Sequence, residues 1–321
     1  MAYVLGDFTT VPELAAQVTR LDNLAFAEYE GAMAFDEAFT EWYLRRPGTD
    51  LSMCQAALDG ETLVSQVIVC VQPLQLGGET LRCGIIDSVA TVPEHRRQGL
   101  ARSLMERAHD AMIDAGLDAA VLYTNPEDHP FRFYGRLGYE ERARASMLIG
   151  ARPGESGCGA EPVDAGRYAD GLCALLNSYY VGHEGFSPLT DELWRWHKID
   201  APPGPLVVAE MTGSGPISTA TFTDAPVRIE GREHQVSMAY DVAASVMNVD
   251  GFASLLSVAP RETIGMILDD ASAERQWADE LDFETRVSEV AMVLPFTREA
   301  EVALDAHRGP WYVMVESVVG V

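Results

Sequence analysis

The sequence predicts an α/β fold, in which a mixed α+β sheet flanked by helices is built twice in tandem and the second copy is degenerate. Three observations carry this expectation. Helix-like and strand-like apolar periods succeed one another along the first half of the chain. The run Val89-Ala90-Thr91-Val92-Pro93-Glu94-His95-Arg96-Arg97-Gln98-Gly99-Leu100-Ala101 reads as a strand, a Pro-punctuated turn and a basic loop that opens a helix. Two short segments of the first half recur, degraded, in the second.

Taken in order, residues 9–46 are helix-rich. Thr9 or Thr10 could cap a helix over Val11–Leu21, and Asp36–Leu44 forms another that ends before Arg46-Pro47-Gly48. Strands follow at Met53–Leu58, Leu63–Val71 and Leu81–Ala90, punctuated by the turns Asp59-Gly60 and Gly77-Gly78. A helix runs from Gly99 to Ala115, Ala119–Tyr123 is a short buried strand, Phe131–Leu137 a short helix, and Tyr139–Ile149 a final strand pair. The Gly-rich stretch Gly150–Ala160 reads as a linker. It divides the chain into residues 1–150 and 151–321, sizes that suit two domains of roughly 100–200 residues.

The repeat is specific in its damage. Pro73-Leu-Gln-Leu-Gly-Gly78 matches Pro226-Val-Arg-Ile-Glu-Gly231, 153 residues later, and Tyr134–Glu140 matches Ala278–Glu284, 144 residues later. The second copy is therefore shorter by nine residues across the region of the basic loop. There it reads Ser245-Val-Met-Asn-Val-Asp250-Gly251-Phe252, where Asp250 repels a phosphate.

Composition excludes several classes. The net charge of −26 argues against nucleic-acid or anionic-membrane binding, which need a cationic face. It suits a cationic substrate drawn to an acidic cleft, or simply a soluble surface. No apolar run reaches the roughly 18–20 residues of a membrane span, and Met1–Asp7 lacks a signal-peptide pattern, so a cytoplasmic protein is expected. The five cysteines (Cys54, Cys70, Cys83, Cys158, Cys173) form no CxxC pair, so neither a structural metal site nor a disulfide scaffold is expected. Cys70 and Cys83 lie in strand-like runs and read as small core residues.

A strand feeding a loop at a helix N-terminus is a ready anion site, because unpaired N–H groups and the helix dipole converge there. Gly99 and Ala101 are small enough for a phosphate to approach the backbone, and Arg96, Arg97 and Arg102 add positive charge. The plain alternative is an ordinary helix start.

Arg96-Arg97-Gln98-Gly99-Leu100-Ala101 resembles the Q/R-x-x-G-x-G/A motif of the GCN5-related N-acetyltransferases, the GNAT superfamily. Phe133-Tyr134-Gly135-Arg136-Leu137-Gly138-Tyr139 resembles that family's second signature, in order and about 35 residues on. The tandem arrangement resembles mycothiol synthase and the two N-terminal domains of Eis-type acetyltransferases. The resemblance implies acyl-CoA, acetyl-CoA in the first instance, as co-substrate and no metal. It places the pyrophosphate on the backbone of Arg97, Gln98, Gly99, Leu100, Ala101 and Arg102. It places the pantetheine arm on Val89, Ala90 and Thr91, where this strand splays from Ala119–Tyr123, with Asn125 at hand.

The resemblance also implies Tyr134 as the general acid that protonates the leaving thiolate; otherwise Tyr134 is an aromatic core residue beside Phe131 and Phe133. Asp87 is the candidate base, with a surface charge or a structural hydrogen-bond partner as alternatives. His129, in the polar loop Glu127-Asp128-His129, is a rival held between two prolines, and His95 reads as solvent-facing. The aromatic stretches Tyr179–Phe186 and Trp194–His197 could line an acceptor pocket or serve in packing, and Glu30, Asp36 and Glu37 could meet a cationic acceptor. The expected reaction is N-acylation of a small polar amine such as an amino sugar, by direct transfer. The alternatives are a protein N-acetyltransferase and a non-catalytic acyl-CoA sensor. Monomer and homo-oligomer both remain open.

Overall fold

The computed structural model describes residues 3–27, 34–154, 159–229, 231–306 and 309–314. The first half contributes β1 (Val4–Asp7), α1 (Leu14–Ala25), α2 (Glu37–Tyr43), β2 (Gln55–Asp59), β3 (Thr62–Leu76) and β4 (Glu79–Thr91). It continues with α3 (Leu100–Asp114), β5 (Ala119–Thr124), α4 (His129–Gly135) and β6 (Glu140–Ala151). The second half repeats the order: β7 (Glu161–Pro162), α5 (Ala169–Tyr180), α6 (Asp191–Lys198), β8 (Leu206–Thr212), β9 (Gly215–Ile229) and β10 (Arg232–Ala244). Then come α7 (Val249–Leu256), β11 (Thr263–Asp269), α8 (Ala273–Glu280) and β12 (Glu284–Pro295), with α9 (Arg298–Ala306) after them.

These strands form one mixed sheet in the order β1-β2-β3-β4-β5-β12-β6-β11-β10-β9-β8-β7. The order is a palindrome of the two halves with their last strands exchanged. β12 completes the first half beside β5, β6 completes the second beside β11, and the two pair antiparallel at the centre. Among the strand pairs of the described residues, only β4 with β5 and β10 with β11 are parallel. The repeat seen in the sequence is therefore structural: Gly77-Gly78 and Gly231 turn corresponding hairpins, and Tyr134 and Ala278 lie on corresponding helices, α4 and α8.

Local patterning explains the elements. α1 buries Val18, Leu21 and Ala25, and α3 buries Leu100, Leu104, Met105, Ala108 and Met112, each at helical spacing on one face. Those faces, with Tyr134, Tyr139, Val290 and Met292, make the core of the first half. A second core joins both halves on the other side of the sheet, from Leu74, Cys83 and Ile85 to Met238, Trp311 and Met314. Cys70 and Cys83 are buried free thiols, as read.

Four expectations need correcting. Tyr139–Ile149 is one strand rather than a pair, because β12 and β11 already occupy both of its edges. β6 runs on to Ala151, so the linker begins later than Gly150. The chain opens with a strand, β1, paired to β2, and Asp7 rather than a threonine caps the short turn Phe8–Thr10 that precedes α1. α1 itself starts at Leu14. Cys158 lies outside the described residues.

Candidate active site

β4 is bonded to β3 along its whole length but to β5 only from Cys83–Ala119 to Ile86–Leu122. Past that register the strands separate, and one edge of β4 from Asp87 to Thr91 faces away from any strand partner. The separation begins at a β-bulge, where Ser88 takes a left-handed conformation (φ 44°) and the β3 register shifts between Gln66 and Ile68.

The opened edge leads into the loop before α3. Arg97 (φ 61°) and Gly99 (φ 82°) turn the chain through left-handed conformations, and Gly99 starts α3 with no capping side chain. A Cβ on Gly99 would meet no atom within 4 Å, so open space lies before this helix end. Arg96, Arg97, Gln98, Gly99 and Arg102 are exposed, Ala101 is half-buried, and Leu100 anchors the turn in the core. Arg96 is turned inward: its Nε donates to the Thr91 carbonyl (3.1 Å) and Nη2 to the Ala25 carbonyl (2.9 Å). It therefore straps the loop to α1 and β4, while Arg97 stays exposed at the start of α3. Arg102 pairs with Glu106 on the surface.

The corresponding site of the second half is closed at both points. Asn248 caps α7, its Oδ1 accepting from the Gly251 N–H at 2.9 Å, and Asp250 sits in the first turn. On β10 the bulge recurs at Asp241 (φ 50°), but the Tyr180 hydroxyl donates to the Val242 carbonyl at 2.9 Å, the position matching Val89.

Asn125 ends β5 and accepts from the Glu127 N–H (2.9 Å), which shapes the turn into α4. Tyr134 is 7 % exposed and packs within the first-half core, tilted against Phe133 and edge-on to Tyr139. Asp87 is buried, its Oδ2 accepting from the Tyr43 hydroxyl (2.6 Å) and lying 3.5 Å from Arg46 Nη1. This arrangement fits the structural-partner alternative, because the carboxylate ties α2 to β4. His95 is half-buried and bonded to Tyr3 (3.0 Å) rather than solvent-facing, and His129 is exposed.

Trp196 stacks on Trp42 with centroids 4.4 Å apart, and each indole N–H donates to the other's backbone carbonyl, at 2.8 and 2.9 Å. This contact joins α2 to α6. Beside it a cavity of about 150 Å³ is lined by Phe35, Phe39, Trp42, His197, Thr223 and Tyr240 among others, with Asp36 and Asp224. Trp194 packs in the second-half core instead, Tyr179 bonds Glu274, and Glu37 is exposed. Glu30 lies outside the described residues.

Two groups escaped the sequence reading. Asp22, on α1, is 8 % exposed and accepts from Ser88 Oγ (2.5 Å) and Gln66 Nε2 (2.9 Å). Burial pushes its carboxyl up to about 7 against those two hydrogen bonds. Glu289 comes from β12, next to the Val290–Thr124 pair, and is half-buried; burial and the nearby Asp128 push its carboxyl up to about 8. Strand exchange brings Glu289 here, so no local motif could reveal it.

Residues 12–142 match the model of an acetyltransferase (GNAT) domain. N-alpha-acetyltransferase 30 of Schizosaccharomyces pombe is 38 % identical over 84 residues, which are 26 % of this chain and 54 % of that protein. The chain thus spans about half the length of this curated relative. Among solved structures, N-myristoyltransferase of Saccharomyces cerevisiae with bound myristoyl-CoA superposes with a TM-score of 0.70 at 12 % identity, over 92 % of this chain and 78 % of that one. A protein of Enterococcus faecalis V583 described as a probable N-acyltransferase gives 0.63 at 14 % identity, over 95 % and 74 %. Both likenesses concern the fold and extend across both halves.

Proposed function

We propose, from the match of residues 12–142 to the model of an acetyltransferase (GNAT) domain, that the chain transfers the acyl group of an acyl-CoA directly to an amine. Acetyl is the preferred acyl group and a small polar amine the preferred acceptor. The observation that carries the reading is the opened edge of β4 running into the uncapped start of α3, with its second-half counterpart blocked by Asn248 and Tyr180.

In this reading the carbonyl and N–H groups of Val89, Ala90 and Thr91 pair with the amides of the pantetheine arm. The backbone from Arg97 to Arg102 holds the pyrophosphate, and Arg96 keeps that loop in place. Asn125 shapes the far wall. Tyr134 gives its proton to the departing thiolate. Asp87, with Tyr43 and Arg46, fixes α2 beside the acyl end, and the cavity between α2 and α6 receives the body of the acceptor. The second half closes that cavity and binds no second acyl-CoA. The chain acts on no nucleic acid and works in the cytoplasm.

A protein N-terminal amine is the second reading, favoured by the identity to N-alpha-acetyltransferase 30. Free-thiol release from acetyl-CoA, measured against small polyamines, amino sugars and short peptides with free N-termini, separates the readings. Turnover confined to amino sugars or polyamines supports the first, and turnover confined to peptides the second. Saturable acetyl-CoA binding with no thiol release from any amine would make the protein a sensor and overturn both.

A further inference from the structure

Resting on the transferase reading, we propose that Asp22 is the proton acceptor of the site, reached through the Ser88 hydroxyl, with Gln66 as its positioning residue. Ser88 stands at the bulge where β4 leaves β5, in a left-handed backbone conformation and half-exposed. Its hydroxyl donates inward to Asp22 Oδ1 and accepts from Gln66 Nε2 at 2.8 Å. The same Gln66 nitrogen donates to Asp22, while Gln66 Oε1 is buried with no hydrogen-bond partner. One half-exposed residue therefore links the opened edge of β4 to a buried carboxyl on α1.

Burial in this pocket makes Asp22 a better base than an exposed carboxylate. Charged groups on the surrounding elements are bonded elsewhere or exposed. On α1, Arg20 donates to the Leu63 carbonyl, and Arg96 of the loop donates to the Ala25 carbonyl. Asp87 on β4 and Tyr43 on α2 hold each other, and Glu37 and Glu41 on α2 are exposed. Cys70 on β3 contacts the Pro47 carbonyl.

The step balances. Ser88 Oγ takes a proton from the acceptor ammonium as it passes its own to Asp22, which leaves a neutral amine and a neutral carboxyl. The amine nitrogen bonds to the thioester carbon, the C–S bond breaks, Tyr134 gives its hydroxyl proton to the departing thiolate, and the second proton of the new amide nitrogen restores the Tyr134 hydroxyl. Asp22 then returns its proton to solvent.

The test compares kcat and kcat/KM of the full chain, Asp22→Asn and Ser88→Ala between pH 5.5 and 9, with acetyl-CoA and an accepted amine. Expected is an acid limb in the parent that both variants lose, with kcat down about 10²-fold at pH 8 and acetyl-CoA affinity kept within about threefold. An unchanged acid limb in either folded variant, or kcat within about twofold of the parent, overturns the proposal. Ser88→Ala removes one exposed-side hydroxyl and keeps the test alive where Asp22→Asn fails to fold. Infrared difference spectra between parent and Asp22→Asn at pH 6 and 9 give a readout free of turnover. A protonated-carboxyl band lost in the variant supports the proposal, and its absence at both pH values overturns it. That band with no thiol release from any amine would overturn the transferase reading instead.

Discussion

Replacing Gly99 by alanine separates the anion-site account from ordinary helix capping. Gly99 begins α3 at φ 82° and an added Cβ touches nothing within 4 Å, so the folded chain loses only backbone freedom. An L-residue held in that conformation costs roughly 1–2 kcal/mol, which lowers Tm by roughly 2–4 °C per kcal/mol in a chain of this size class. The methyl group projects into the space before the helix N-terminus, where a phosphate must come within hydrogen-bond reach of the backbone. Loss of one charge-assisted hydrogen bond is worth about 1.5–3 kcal/mol, so acetyl-CoA binding should weaken by roughly 10- to 10²-fold. Gly60 supplies the control: it is also left-handed (φ 63°), also meets no atom within 4 Å, and turns the β2–β3 hairpin. Gly60→Ala should cost similar stability and leave affinity unchanged. Calorimetric titration with acetyl-CoA, paired with thermal unfolding, reads both effects. Equal affinity in Gly99→Ala and the parent, or equal losses in the two variants, would show that the start of α3 holds no phosphate.

Three other outcomes follow from the same structure. Tyr134→Phe keeps the core packing of a 7 % exposed ring and removes only the hydroxyl, so kcat should fall at least tenfold with Tm within a few degrees, checked by steady-state thiol release. Asp22 ionises near 7 when folded against an ordinary 3.8, so the folded chain binds the extra proton between those values and stability falls as pH rises from about 4 to 7. That slope amounts to roughly 4 kcal/mol, and Asp22→Asn should lack it in denaturant titrations across this range. Lys198, the sole lysine, lies 2.6 Å from Asp241 with both side chains essentially sealed from solvent. Burial opposes ionisation of Asp241, but Lys198, His197 and the Tyr312 hydroxyl outweigh it and hold the carboxyl below its usual range. Lys198→Met should therefore destabilise the fold by about 3–5 kcal/mol by denaturant unfolding. The stability that Asp241 contributes should be present above the ordinary carboxylate range and disappear as pH falls through its lowered value.

Much of this architecture is legible in the sequence because the signals are local. The Pro-turn, the loop at Arg96–Ala101 and the Gly99-started helix are written in consecutive residues, and the hairpin repeat marks the second half without any structure. The exchange of β6 and β12 is not legible, since both strands carry the same apolar alternation and nothing in that alternation names the neighbouring strand. Asp22 illustrates another limit. On an amphipathic helix a lone Asp among apolar positions reads as a surface charge, and only the folded chain brings Gln66 and Ser88 to it. Asp87 was visible from its strand, whereas its partners Tyr43 and Arg46 lie over 40 residues away in sequence.

One acyl-CoA per chain is the expectation, bound in the first half, because Asn248 and Tyr180 occupy the corresponding positions of the second half. Isothermal titration of the intact chain with acetyl-CoA tests it most directly. Saturation is expected at one molecule per chain; saturation at two, or no binding at all, would rule out a single first-half site.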